Sequence, residues 1–395
     1  MAVTTIYRNA RLFRELSRPA DIVQHLGPNW YATIMGTGIV ANAAFALPGQ
    51  VGLLLEFSRW LWLADAVALL ALTGAWILHV LFARQNALGH LKNPLMAQFF
   101  GAPPMALMTV GTGAATEGRY FLHGAGLGLD WILWVTGTIL GLMVAAAVPA
   151  AMASRYSMGP EDTFASWLMP VVPPMVAAGT AGPILASAPA ALRVDLLYGC
   201  YAMFGAALVM SLVVLTLFWA RLVAGAEVPA HMVPTMWIVL GPLGQSITAV
   251  TGLGHEAGVL GPSIGKAFGV MGVIYGVPVL GFALLWAAIA AAVTTVRASK
   301  GIPFGLTWWS FTFPVGTVVT GAIGLFRSTG SPLFAGVATA GYGILFLAWA
   351  LVAARTVAAS VSGAIFLPAD LAVGDKETDY QAPVLATTGT AAKVA

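Results

Sequence analysis

Charged side chains are scarce in this sequence of 395 residues, because Asp, Glu, Lys and Arg together make up only 8% of it. Soluble domains carry about 25% charged residues, so the composition excludes a water-soluble globular protein. The formal net charge of +3 is too small and too scattered to suggest nucleic-acid binding. The single cysteine, Cys200, excludes an internal disulfide framework and a cysteine-rich metal site.

Sequence motifs of enzymes are also missing. The stretch GHEAG at 254–258 lacks the second histidine, four residues after His255, that a zinc-protease helix requires. The stretch MGTGIV lacks the third glycine and the preceding strand of a dinucleotide-binding fold, and no P-loop or nucleophile elbow occurs. We therefore expect no enzymatic activity, no cofactor and no metal.

Long apolar segments are abundant instead, and hydrophobic residues make up 59% of the chain. A membrane-spanning helix needs about 20 largely apolar residues. Ten segments meet that requirement: 27–47, 58–82, 95–116, 130–152, 164–187, 196–220, 232–254, 267–293, 303–326 and 333–357. The sequence therefore predicts an all-α integral membrane protein with ten transmembrane helices.

The distribution of basic residues predicts the orientation. With both termini in the cytoplasm, 13 of the 18 Lys and Arg residues lie on the cytoplasmic side, as the positive-inside rule expects. We predict a multi-pass protein of the plasma or inner membrane with a cytoplasmic N-terminal segment (1–26), a transmembrane domain (27–357) and a cytoplasmic, disordered tail (358–395).

Prolines recur with a fixed period in the odd-numbered spans. The central residues Pro103, Pro173, Pro242 and Pro314 are 70, 69 and 72 residues apart, and such a period indicates an internal repeat. Each unit reads as a hairpin of one kinked and one straight helix. The residues that we expect to kink the odd helices are Pro103, Pro104, Pro173, Pro174, Pro242 and Pro314.

Kinked helices leave backbone groups without partners, which is costly in lipid. We therefore predict five tandem hairpins, with the odd helices in an inner ring around a pore and the even helices outside. The alternative is that these are ordinary membrane-helix prolines with no common axis.

Polar side chains follow the odd spans at helical spacing. The residues that we predict to line the pore are Thr33, Gly36, Thr37, Thr109, Gln245, Thr248, Ser310 and Thr317. Any one stripe could instead serve hydrogen bonds between helices. The path has no ring of carboxylates, which argues against a cation channel. Asp65 is the only acid well inside a span, and it lies on a helix predicted to be outer.

Four stretches resemble the tellurite-resistance/dicarboxylate transporter family, which includes malate permeases, sulfite efflux pumps and plant slow anion channels. They are GPNWYATIMGTGIVANA in the first span, WLMPVVPPMVAAGTAG in the fifth, MVPTMWIVLGPLGQS in the seventh and LTWWSFTFPVG in the ninth. The resemblance implies a homotrimer with one pore in each protomer. It also implies that a phenylalanine beside the ninth-span proline closes the pore. Phe313, directly before Pro314, is the first candidate for this gate and Phe311 the second; packing is the alternative role for Phe313.

The resemblance also implies a small anionic substrate and leaves its identity open. We expect a permease or channel for C4-dicarboxylates such as malate, and the alternative is efflux of sulfite, tellurite or another small inorganic anion. A membrane sensor or scaffold without transport is the alternative from another functional class. Lipid is the other expected partner.

Overall fold

A computed structural model describes residues 13–16, 21–49, 51–156, 158–225 and 227–366. These residues form helices and connecting turns, with no β-strand among them. Most of the predicted tail, from residue 367 onward, lies outside the described residues.

The α-helices are named here in chain order. They are α1 (Asp21–Gln24), α2 (Tyr31–Ala46), α3 (Gly52–Phe82), α4 (Arg84–His90), α5 (Pro94–Gln98), α6 (Ala102–Ala115), α7 (Arg119–Leu122), α8 (Ala125–Ser154), α9 (Pro173–Gly179), α10 (Gly182–Ser187), α11 (Ala190–Val223), α12 (Leu240–Glu256), α13 (Pro262–Ala298), α14 (Phe313–Thr329) and α15 (Pro332–Ser362). Short 3-10 helices precede five of them, at Pro28–Trp30, Phe99–Gly101, Ala165–Leu168, Ala230–Val239 and Leu306–Phe311.

Seven helical segments in the described part of the chain are long and apolar enough to cross a membrane. Five are the single helices α3, α8, α11, α13 and α15, and two join a 3-10 helix to α12 or α14. The predicted spans 27–47, 95–116 and 164–187 consist of shorter pieces. The all-helical membrane class is therefore supported, whereas ten crossings in five hairpins remain a prediction.

The prolines of the odd spans lie near the starts of α-helices. Pro103 and Pro104 are in the first turn of α6, Pro173 and Pro174 begin α9, and Pro314 is the second residue of α14. The first turn of a helix has N–H groups without intrahelical partners, so proline loses nothing there. The predicted kinks are thus changes from 3-10 to α-helix. Pro242 follows the same pattern as the third residue of α12.

An internal repeat is visible in the positions of these changes. The α-helices after the five 3-10 helices start at Tyr31, Ala102, Pro173, Leu240 and Phe313, which are 71, 71, 67 and 73 residues apart. The helix starts place residues 32 and 33 opposite 103 and 104, so Gly36 and Gly38 lie a turn further into the helix than the proline spacing suggests.

The five helices α2, α6, α9, α12 and α14, called the short helices below, contact one another in a closed circuit. Each packs against the next in chain order, and α14 packs against α2. Each also packs against the long helix that follows it: α3, α8, α11, α13 and α15, respectively. The repeat therefore places the short helices together and the long helices around them.

The long helices expose apolar side chains on their outer faces. Examples, one from each helix, are Leu70 (74% exposed), Ile132 (65%), Val209 (61%), Ile274 (69%) and Leu347 (70%). Within their most apolar stretches only 17–28% of residues are buried, against 83% and 78% in the segments of α12 and α14. Exposed apolar faces on all five long helices suit contact with lipid.

Indole side chains tie the long helices to the short ones. Trp62 of α3 donates from Nε1 to the Val110 carbonyl of α6 (3.0 Å), and Trp134 of α8 donates to the Ala177 carbonyl of α9 (2.9 Å). The two tryptophans are 72 residues apart, so each repeat unit is attached to the next short helix by the same device.

The two terminal segments meet at one end of the helix set. The backbone N–H groups of Phe13 and Glu15 donate to the carbonyls of Val361 (2.7 Å) and Ser362 (3.0 Å). Trp30 stacks on Phe366, with ring centroids 5.1 Å apart. Helix α15 itself continues to Ser362, beyond the predicted boundary at 357.

Candidate functional site

A cavity of about 1000 Å³ lies between the short helices. All five contribute to its lining, as does α10. It extends from exposed residues at the C-terminal ends of α12 and α14 to buried residues deeper in the helix set. We call the exposed end the mouth and the buried end the floor.

The floor is formed by one side chain from each short helix. In every case it is the lining residue nearest to the helix N-terminus: Ile39, Thr109, Val176, Gln245 and Phe313. All five are at least 94% buried. None carries a charge, so the cavity is closed by a ring of apolar and neutral polar groups.

Threonines dominate the polar lining between floor and mouth. They are Thr109, Thr112, Thr116, Thr180, Thr248, Thr251 and Thr320. Their hydroxyl groups donate to main-chain carbonyls of their own helices, as Thr109 does to Met105 (2.8 Å) and Thr180 to Val176 (2.8 Å). Thr248 and Thr320 also share a hydrogen bond across the α12–α14 contact (2.8 Å). A solute meets hydroxyl oxygens whose protons are already engaged.

Charged side chains occur only at the mouth within the described lining. They are Arg327 and Glu256, accompanied by His255. The Arg327 Nη2 atom donates to the Ala46 carbonyl of α2 (3.3 Å), which holds the guanidinium at the rim. The arrangement concentrates charge where solutes enter and leaves the floor neutral.

The two candidate gate residues lie in different places. Phe313 is 3% exposed and lines the cavity floor. Phe311 is half-buried and packs edge-on against Trp237 (5.6 Å between centroids) and Trp308 (5.8 Å). Phe311 lines a separate apolar groove between α13 and α15, so of the two rings only Phe313 faces the cavity.

Three of the predicted pore-lining residues, Thr109, Gln245 and Thr248, come together in the cavity. Thr33 and Thr37 lie outside its lining: the Thr33 hydroxyl donates to the Trp30 carbonyl (2.8 Å), and the Thr37 hydroxyl accepts from Trp349 Nε1 of α15 (3.1 Å).

The other three predicted lining residues are also outside the cavity. A Cβ atom on Gly36 would overlap Trp309 and Thr312, so this glycine allows α2 to approach the start of α14. Thr317 is fully buried and donates to the Leu240 carbonyl of α12 (3.1 Å). Ser310 lies in the preceding 3-10 helix and is 8% exposed.

Several cavity residues have no counterpart among the sequence predictions. Asn42, Thr180, Thr251 and Arg327 line the cavity, and the Asn42 Nδ2 atom donates to the Thr109 carbonyl (3.1 Å). Asn42 follows Ile39 by three residues on α2, so the spacing rule that selected Thr33 and Thr37 could have been extended to it.

Buried acids surround α6 without facing the cavity. Asp65 of α3 is 2% exposed, and its Oδ2 atom, which has no hydrogen-bond partner, lies against Gly38. Glu117, in the turn after α6, is fully buried, and desolvation raises its pKa to about 8. The described residues contain no cluster of three His, Cys, Asp or Glu side chains that could hold a metal ion.

Comparison with known proteins gives a consistent result. The family model described as voltage-dependent anion channel matches residues 25–357. A sulfite efflux pump of Trichophyton rubrum is 28% identical over 360 residues, covering 87% of this chain and 93% of that protein. A sulfite efflux pump of Arthroderma benhamiae is 27% identical with the same coverage. An uncharacterized transporter of Methanocaldococcus jannaschii is 24% identical over 352 residues, covering 88% and 96%.

Proposed function

Since this chain belongs to the voltage-dependent anion channel family, we propose that it carries small oxyanions of the sulfite type across a membrane. The family is one of transporters and channels rather than enzymes, as the missing catalytic motifs predict. The observation that carries the proposal is the cavity between the short helices, with charge at its mouth and a neutral floor closed by Phe313.

Sulfite-type anions are preferred over C4-dicarboxylates because of the relatives. The sequence expectation places malate first, but the fungal relatives are named as sulfite efflux pumps. A neutral, hydroxyl-lined path also suits a small anion, since such a site binds weakly enough to release its ion. Export is the direction that these names favour.

Ten membrane crossings in five hairpins are part of the proposal. The closed circuit of short helices and the exposed apolar faces of the long helices support it. The contact between residues 13–15 and the end of α15 supports termini on one side, and the positive-inside rule makes that side the cytoplasm. The cavity mouth then faces the outside of the plasma or inner membrane. The homotrimer with one path in each protomer rests on the family resemblance alone.

Phe313 is proposed as the gate of this path. Its ring is buried at the floor, directly after the change from 3-10 to α-helix at Thr312. A closed state held by an apolar ring excludes water without an ion pair.

Anion release from proteoliposomes tests the function. Vesicles that contain the purified protein are loaded separately with sulfite, malate, nitrate or chloride, and release is compared with that from protein-free vesicles. We expect protein-dependent release of sulfite to exceed that of malate by at least about tenfold, because the closed floor has no charged group to hold a second carboxylate. Faster release of malate would replace the proposed substrate. Release of none of the four anions, by either the wild type or Phe313→Ala, would contradict transport.

A further inference from the structure

Gln245 is a buried amide without a hydrogen bond. Its side chain is 3% exposed and lies on the cavity floor, yet among the described residues it has no hydrogen-bond partner. An unsatisfied polar group costs about 1–3 kcal/mol when buried, and buried amides in native proteins are nearly always paired. A partner that occupies the cavity during function accounts for this exception.

The surroundings of Gln245 keep its amide nitrogen available. A Cβ atom on Gly179 would overlap the Nε2 atom of Gln245, so only glycine leaves room for the amide at that point. Gly179 ends α9, and Thr180 and Ala181 separate it from α10. The amide therefore lies at an interruption of the helix on the opposite wall.

Other polar groups near the floor have already used their protons. Thr109 and Thr248 donate to carbonyls of their own helices, at 2.8 and 3.2 Å. Asn42 Nδ2 donates to the Thr109 carbonyl. The Nε2 group of Gln245 thus has two N–H donors with no acceptor, and it is the floor's uncommitted source of hydrogen bonds.

We infer that the Gln245 amide is the anion-binding group of the floor and that its ligand is a small oxyanion. This inference rests on the proposed function and adds the residue that selects the substrate. An oxyanion supplies acceptor oxygens for both N–H bonds, and hydrogen bonds to charged groups are stronger than neutral ones. A neutral donor binds without trapping the ion, which a path for flux requires. Gly179 is the positioning residue, since it leaves the space that the amide occupies.

Two variants separate removal of the amide from its displacement. Gln245→Leu keeps much of the side-chain volume and removes the donors, whereas Gly179→Ala keeps the amide and pushes it aside. Both are expected to raise the KM for sulfite flux by about tenfold or more. Gln245→Glu places a negative charge at the floor and is expected to abolish flux. Gln98→Leu is the matched control, because Gln98 is 1% exposed with an unpaired Oε1 but lies outside the cavity lining.

Sulfite binding to the purified protein provides a readout that does not depend on flux. A ligand that binds only the folded state raises the melting temperature. We expect sulfite to raise the melting temperature of the wild type and Gln98→Leu but not that of Gln245→Leu. A KM within twofold of wild type for both Gln245→Leu and Gly179→Ala would overturn the inference while leaving transport intact. If malate, rather than sulfite, loses affinity in these variants, the proposed ligand class is wrong. If Gln245→Leu does not assemble, Gly179→Ala and Gln245→Asn decide the question by the same two measurements.

Discussion

The short helices and the long helices differ in how they treat the backbone. The long helices are continuous over 30 to 37 residues and expose apolar side chains, because a regular helix satisfies its own hydrogen bonds in lipid. The short helices follow 3-10 segments and carry the prolines, and they are buried among their neighbours. Irregular backbone and polar side chains are thus kept where protein surrounds them. The same separation creates the cavity, since interrupted helices cannot pack along their whole length.

A matched pair of glycines should show the largest difference between the two sets. A Cβ atom on Gly244 of α12 would overlap the backbone of Thr317 and Val318 in α14. We expect Gly244→Ala to destabilise the protein by about 3 kcal/mol or more, because backbone cannot move aside as a side chain can. Gly281 of α13 has open space around its Cβ position, so Gly281→Ala should be neutral or stabilising by up to about 1 kcal/mol. Thermal unfolding in detergent measures both, and equal melting temperatures would contradict the difference in packing.

The attachment between the two sets should be weaker than the packing within the inner set. Trp62→Phe removes the hydrogen bond to the Val110 carbonyl while leaving an aromatic ring in the buried site. The expected loss is about 1–2 kcal/mol, the usual worth of a buried hydrogen bond together with some lost packing. Trp60 on the same helix is 58% exposed, and Trp60→Phe should leave the melting temperature within experimental error. An equal effect of the two substitutions would show that the Trp62 hydrogen bond is not a tie between the helices.

The smallest effect is expected at Glu117, in the turn that joins α6 to α7. Burial raises the pKa of Glu117 to about 8 from an ordinary value of 4.5. The folded state therefore retains a proton that the unfolded state loses, and stability falls as pH rises from about 4.5 to 8. Glu117→Gln keeps a neutral side chain at every pH. The variant should match the wild type in melting temperature at pH 5 and exceed it at pH 8; the reverse order would show that the carboxylate is stabilising.

Hydropathy and proline spacing predicted much of this architecture, and their limits are physical. Pro314 located the start of α14, because proline tolerates few backbone environments. The same reasoning could not tell a kinked α-helix from a change between 3-10 and α-helix, since proline is accepted in both. The family resemblance was sound, and the family match covers residues 25–357.

Cavity residues were harder to predict, because the direction of a side chain depends on the rotation of its helix. Thr37 and Asn42 are polar residues of α2, yet Thr37 bonds to α15 and Asn42 lines the cavity. A polar stripe in sequence does not distinguish a hydrogen bond between helices from a wall of a pore. The missing partner of Gln245 depends on three-dimensional contacts and has no sequence signal.

The central claim is that the ring of Phe313 closes the path between the short helices, and anion conductance of Phe313→Ala tests it most directly. The variant is compared with wild type, Phe313→Leu and Phe311→Ala in planar bilayers with sulfite as the permeant ion. Phe313→Ala should raise conductance by at least about tenfold, equivalent to roughly 1.4 kcal/mol of barrier, and Phe313→Leu should raise it less. Phe311→Ala should conduct like wild type, because its ring packs outside the cavity. Normal assembly of Phe313→Ala with wild-type conductance, together with strong conductance by Phe311→Ala, would contradict the account.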